Sequence, residues 1–116
     1  SETPIEATAY LLEQQPPGPV FHAMSFGSYL VWAAQPDYPV FVDSRIELYP
    51  PQVWQDYLRI SAGADDWADR LDRYHIRTLM LCAKEQPGLL TAALGSEGWQ
   101  ETYRDEAAVI FRRRVP

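Results

Sequence analysis

A chain of 116 residues, 47% hydrophobic and 22% charged, can bury a core of its own as one domain (1–116) and is too apolar for a disordered tail. Its net charge of −6 argues against a nucleic-acid partner, since phosphate backbones call for clustered lysine and arginine. A single cysteine, Cys82, excludes an intramolecular disulfide and a cysteine-rich metal site, and no window reaches the roughly 18 apolar residues of a membrane span.

Thr3-Pro4-Ile5-Glu6 is a capping-box pattern with proline at the first helical position. It predicts a helix whose inward face carries Ile5, Ala9 and Leu12, ended by Gln14-Gln15-Pro16-Pro17-Gly18. Val20 to Ala23 reads as a short strand. Ser25 can cap a second helix, with Gly27 and Ser28 in its first turn and Tyr29, Leu30, Ala33 and Ala34 beyond. After the turn from Gln35 to Pro39, Val40-Phe41-Val42 is apolar on consecutive residues, as in a strand covered on both faces. It stops at Asp43-Ser44-Arg45, and Tyr49 follows before Pro50-Pro51.

Pro51 opens another helix, with Val53/Tyr57 and Trp54/Leu58 as pairs four apart, broken from Ser61 to Ala64. In the next helix Trp67, Leu71 and Tyr74 share a buried face. Asp66/Arg70 and Asp69/Arg73 pair on its wet side. Thr78 to Ala83 reads as a further doubly buried strand, and Pro87 to Leu94 as a short helix closed by Gly95. Trp99 to Tyr103 and Ala108 to Arg112 alternate around Arg104-Asp105-Glu106, an antiparallel hairpin. Arg112-Arg113-Arg114, the basic run, reads as a solvated tail after the last strand. Strands alternating with helices predict an α/β fold: three layers around a Rossmann-like sheet of about five strands, the first three parallel, with the hairpin at the C-terminal end.

Ligands of open α/β sheets sit outside the carboxyl ends of the parallel strands. His22 and Ser25 lie at that end of the first strand, and Asp43 and Arg45 at that end of the second. Were these strands neighbours, the four would converge beside the helix start at Gly27 and Ser28, whose free N–H groups could hold an anion. Lys84-Glu85 faces the same rim and could contribute charge there, but reads first as a solvated loop pair. The competing reading makes Asp43 and Arg45 a structural clamp and Tyr49 a lid over the sheet end. A hydrolytic set of Ser25, His22 and Asp43 lacks the GxSxG elbow, because Met24 and Phe26 flank Ser25. Cys82 reads as a small core hydrophobe and His75 as a complement to its helix dipole. The two histidines and scattered carboxylates show no metal-ligand spacing, and no motif calls for a cofactor.

In order along the chain, "TPIEATAYLLEQ", "GPVFHAMSFGSYLVW", "YPVFVDSRIELYP", "WADRLDRYHIRTLML" and "EGWQETYRDEAAVIFRR" resemble the C-terminal region of bacterial polytopic membrane proteins. Those proteins are similar to glycosyltransferases of the dolichyl-phosphate-mannose-protein mannosyltransferase type. Gly27-Ser28-Tyr29-Leu30, Asp43-Ser44-Arg45, Tyr49, Trp67, Leu71, Trp99, Tyr103 and Asp105 match the pattern, which spans about Pro4 to Arg114. Gly27-Ser28 stands where Gly-Gly is commoner.

The resemblance implies an extracytoplasmic accessory domain attached to a membrane-embedded part of the same chain. It implies no catalytic residue in this piece, and a sugar, lipid-linked sugar or peptide acceptor as the ligand. The opening Ser-Glu-Thr, without an initiator methionine, fits a piece of something longer. Two other readings stand beside it: a ligand-free interaction or stability module, and a small hydrolase built on Ser25, His22 and Asp43.

Overall fold

The computed structural model describes residues 3–14, 20–26 and 51–114. In chain order these form α1 (Ile5–Gln14), β1 (Val20–His22), a 3-10 turn (Met24–Phe26), α2 (Pro51–Ser61), α3 (Trp67–Arg73), β2 (Thr78–Leu81), α4 (Pro87–Leu94), β3 (Trp99–Arg104) and β4 (Val109–Arg113). The expected strand at Val40-Phe41-Val42 and the helix body expected after Ser25 lie outside the described residues.

The strands form one sheet in the order β1-β2-β4-β3. β1 and β2 are parallel, with Phe21 opposite Leu79, while β2/β4 and β4/β3 are antiparallel. This corrects the expected Rossmann-like sheet of about five strands with the first three parallel. The described sheet is four-stranded and mixed, with one parallel pair. The hairpin is not an appendage at the edge. Its second strand inserts beside β2, pairing Leu79 with Phe111 and Met80 with Ile110. The apolar run of β2 requires cover on both faces, but it says nothing about which way its neighbours run.

All four residues of β2 are buried. On one face Phe21, Leu79, Leu81, Phe111 and Trp99 pack with Tyr57 and Ile60 of α2, Leu71 of α3 and Leu89 of α4. On the other, Val20, Met80, Cys82 and Ile110 pack with Ala7 and Leu11 of α1. Each large apolar side chain buried this way contributes roughly 1.5–3 kcal/mol. Cys82 is a core residue, as its place in the sequence suggested.

The inward face of α1 differs from expectation, and α2 chooses between its two apolar pairs. In α1 the buried residues are Ala7, Thr8 and Leu11, and Ile5 is 60% exposed. The helix carries two apolar stripes, and the one with Ala7 and Leu11 faces the sheet. In α2, Tyr57 packs inward with Val53 beside it, whereas Trp54 and Leu58 face outward.

The end of α3 is a Schellman motif. Ile76 N–H donates to Leu71 O at 3.1 Å and His75 N–H to Asp72 O at 3.0 Å, with Leu71 and Ile76 packed in the same cluster. His75 holds the left-handed position of that motif, at φ 58°. The loop after α2 meets the start of α4 backbone to backbone. A Cβ on Gly63, itself at φ 70°, would lie 2.5 Å from Gly88 O, and one on Gly88 would strike Ala62 O.

Asp105 builds the turn between β3 and β4. Its Oδ1 accepts from Ala107 N–H at 2.7 Å and Ala108 N–H at 2.9 Å, and its Oδ2 from the Tyr103 hydroxyl at 2.6 Å. Burial pushes the Asp105 carboxyl up, but these donors outweigh it and hold it below the usual carboxylate range. That gives the Tyr-x-Asp pattern at Tyr103 and Asp105 a structural meaning. A bulge between Glu101 and Tyr103 breaks the regular register of β3, and Arg104 bridges Glu101 with two bonds of 2.9 and 3.0 Å.

Candidate functional site

The carboxyl ends of β1 and β2 open on the same side of the sheet, since the two strands are parallel and His22 pairs with Met80. His22 is fully buried, and its Nδ1–H donates to Ala23 O at 2.8 Å. That bond fixes the proton on Nδ1 and ties the ring to the strand end. Beyond it, Ala23 N–H continues the ladder to Met80 O at 3.2 Å, and Phe26 N–H closes the 3-10 turn on Ala23 O at 2.9 Å. Ser25 is thereby presented to solvent at the top of β1.

Past β2 the chain turns sharply. Glu85 and Gln86 N–H both donate to Cys82 O, at 3.2 and 2.8 Å. Gln86 is 1% exposed and locks this turn to α2: its Oε1 accepts from Cys82 N–H at 3.3 Å and its Nε2 donates to Ser61 Oγ at 3.0 Å. The turn aims Glu85 across the rim. Ser25 N–H donates to Glu85 Oε1 at 3.3 Å, and the Ser25 hydroxyl donates to Glu85 Oε2. A carboxylate and a serine from two neighbouring strand ends thus meet at the predicted rim, with His22 beneath.

Of the residues singled out from sequence, His22 and Ser25 lie at that rim. Gly27, Ser28, Asp43, Arg45 and Tyr49 lie outside the described residues. Glu85 could be placed at the rim from its position just after an apolar strand, but its sequence reads first as half of a solvated loop pair. Gln86 was not legible, because a glutamine before a proline-started helix looks like any loop residue.

A second polar cluster joins α2 to α3. Asp56, 2% exposed, accepts from the Arg70 guanidinium and the Tyr74 hydroxyl. Arg70 Nε also donates to Asp66 Oδ2 at 2.8 Å, and Arg59 approaches Asp66 Oδ1 at 3.5 Å. Burial, then the hydrogen bond to Asp56, push the Tyr74 phenol up to about 12. The expected Asp66/Arg70 pair therefore forms, but Arg70 reaches through it to a buried carboxylate rather than only into water. Asp69 and Arg73 make no ion pair among the described residues. Each oxygen of the buried Asp56 carboxylate has a donor from α3 or its end, which suits a tie between helices better than a site for a ligand.

No group of three or more histidine, cysteine, aspartate or glutamate side chains is placed to hold a metal ion among the described residues, and no described helix is long and apolar enough to cross a membrane. Comparison with protein-family models, with curated proteins and with solved structures gives no match.

Proposed function

We propose that this chain is a non-catalytic, extracytoplasmic accessory domain of a glycosyltransferase-like membrane protein, and that it binds an acceptor or sugar at the carboxyl-end rim of its parallel strands. The ordered resemblance along the sequence supports the class. The observation that carries the rim is the meeting of Ser25 and Glu85 across the ends of β1 and β2. The serine oxygen and the carboxylate at these strand ends supply acceptors to which sugar hydroxyls donate.

A two-dimensional NMR titration with simple sugars, polyprenyl-phosphate analogues and short peptides tests this. Shifts confined to Ser25, Glu85 and the residues singled out from sequence, Gly27, Ser28, Asp43, Arg45 and Tyr49, are expected, and Glu85→Gln should weaken them about tenfold. A flat response to every ligand would leave a ligand-free module, with Ser25–Glu85 acting only as a strand-end tie.

A further inference from the structure

The basic run expected to be a solvated tail is built into the sheet. Arg112 and Arg113 belong to β4 and pair across to both neighbours, Arg112 facing Thr78 on one side and Gln100 on the other. Arg113 N–H donates to Arg77 O at 2.9 Å, and Arg114 N–H to Gly98 O at 2.8 Å, so the backbone stays fixed through Arg114. Alternation along a strand then sends Arg112 and Arg114 to one face and Arg113 to the other. Arg113 is committed there: its guanidinium lies 5.5 Å over the Trp99 ring and 3.7 Å from Asp72.

Arg112 and Arg114 have no such commitment. Both are exposed, and neither makes an ion pair among the described residues, whereas Arg59, Arg70, Arg104 and Arg113 each have a carboxylate. With Gln100, Thr102 and Arg113 they line an open depression of about 570 Å3. In a chain of net charge −6, two guanidiniums that no described carboxylate pairs, two residues apart on a fixed backbone, repel each other and attract an anion.

We propose that this face of the β3–β4 hairpin binds a phosphate group, carried either by a free phosphate ester or by a lipid headgroup. Two guanidiniums lining one depression, from Arg112 and Arg114, suit a tetrahedral anion with oxygens pointing several ways better than a planar carboxylate. The Gln100 amide, opposite Arg112, adds a neutral donor. Because the backbone is already held by the sheet, binding orders only side chains, which keeps its entropic cost low. The face lies at the opposite end of the sheet from the Ser25–Glu85 rim, since Arg112 pairs with the first residue of β2. It does not depend on the accessory-domain reading, and in an NMR titration the two map to separate residues.

The test has two arms on the 116-residue chain. Inorganic phosphate and pyrophosphate are titrated while the backbone amides of Gln100, Thr102 and Arg112 to Arg114 are followed, with sodium acetate at matched ionic strength as control. Co-sedimentation uses vesicles of phosphatidylglycerol with phosphatidylcholine against phosphatidylcholine alone. Saturable shifts with phosphate but not acetate are expected, weakened about tenfold or more in Arg112→Gln/Arg114→Gln and unchanged in Arg104→Gln. Phosphate binding without vesicle binding assigns the site to free esters. Vesicle binding lost in the double variant assigns it to headgroups. The proposal fails if phosphate and anionic vesicles both leave the chain unbound, if acetate acts equally, or if the double variant binds as the wild type does. Both arginines are exposed, so the variant should fold; should it not, Arg114→Gln alone decides.

Discussion

His75 sits in a left-handed conformation that L-residues adopt at a cost, and the hydrogen bonds that close α3 hold it there. Glycine meets the same geometry without a Cβ clash. His75→Gly should therefore raise stability by about 1 kcal/mol, a gain of about 4 °C in Tm on thermal melting. An unchanged or lowered Tm would mean the imidazole itself contributes something the backbone geometry conceals. The sequence placed His75 at a helix end but suggested only a dipole complement. The left-handed angle was not legible, because the usual marker for it is glycine or asparagine. Asp105 is the opposite case. An aspartate flanked by two alternating runs is a turn signal, and its side chain takes three donors there.

At the scale of elements, α3 spans only Trp67–Arg73 and contributes Leu71 as its buried residue, so its seat on α2 rests heavily on the Asp56 cluster. Asp56→Ala removes the acceptor for both Arg70 and Tyr74. It should cost about 2–3 kcal/mol in urea melts, with hydrogen exchange of the α3 amides speeding up before that of β2. A midpoint within error of the wild type would demote the cluster to surface decoration. The helices themselves were readable from caps, prolines and four-residue spacings, and α4 and the hairpin fall where those signals put them. Which side of a helix faces the sheet was less so. The stripe of α1 with Ile5, Ala9 and Leu12 is as apolar as the inward one with Ala7 and Leu11, so apolar spacing alone could not choose between them.

For the whole molecule, the local signals left the sheet order open. A buried strand reads alike beside a parallel or an antiparallel partner, and only long-range packing placed β4 between β2 and β3. The rim was partly legible for the same reason: strand ends are local, but which ends meet is not. A global property follows from two phenols. Tyr103 is pushed up to about 12 by its hydrogen bond to Asp105 and by burial, as Tyr74 is by burial and Asp56. Unfolded, both lose their protons near the ordinary value of 10.0. Between those values the folded chain binds more protons, so this stability is complete below about pH 10 and lost as pH rises towards about 12. Urea midpoints should fall across that window, and fall less in Tyr74→Phe/Tyr103→Phe. Parallel curves for the two proteins would contradict the linkage.

The bulge in β3 bears on how copies of this chain treat one another. β3 ends the described sheet, and a flat outer strand is a template on which a second chain can add. Here the ladder is interrupted between Glu101 and Tyr103, and the Glu101–Arg104 bridge sets charge along the strand at that break. An incoming strand would find neither a continuous row of hydrogen-bonding groups nor an apolar surface, so the hairpin that completes the core also resists edge-to-edge aggregation.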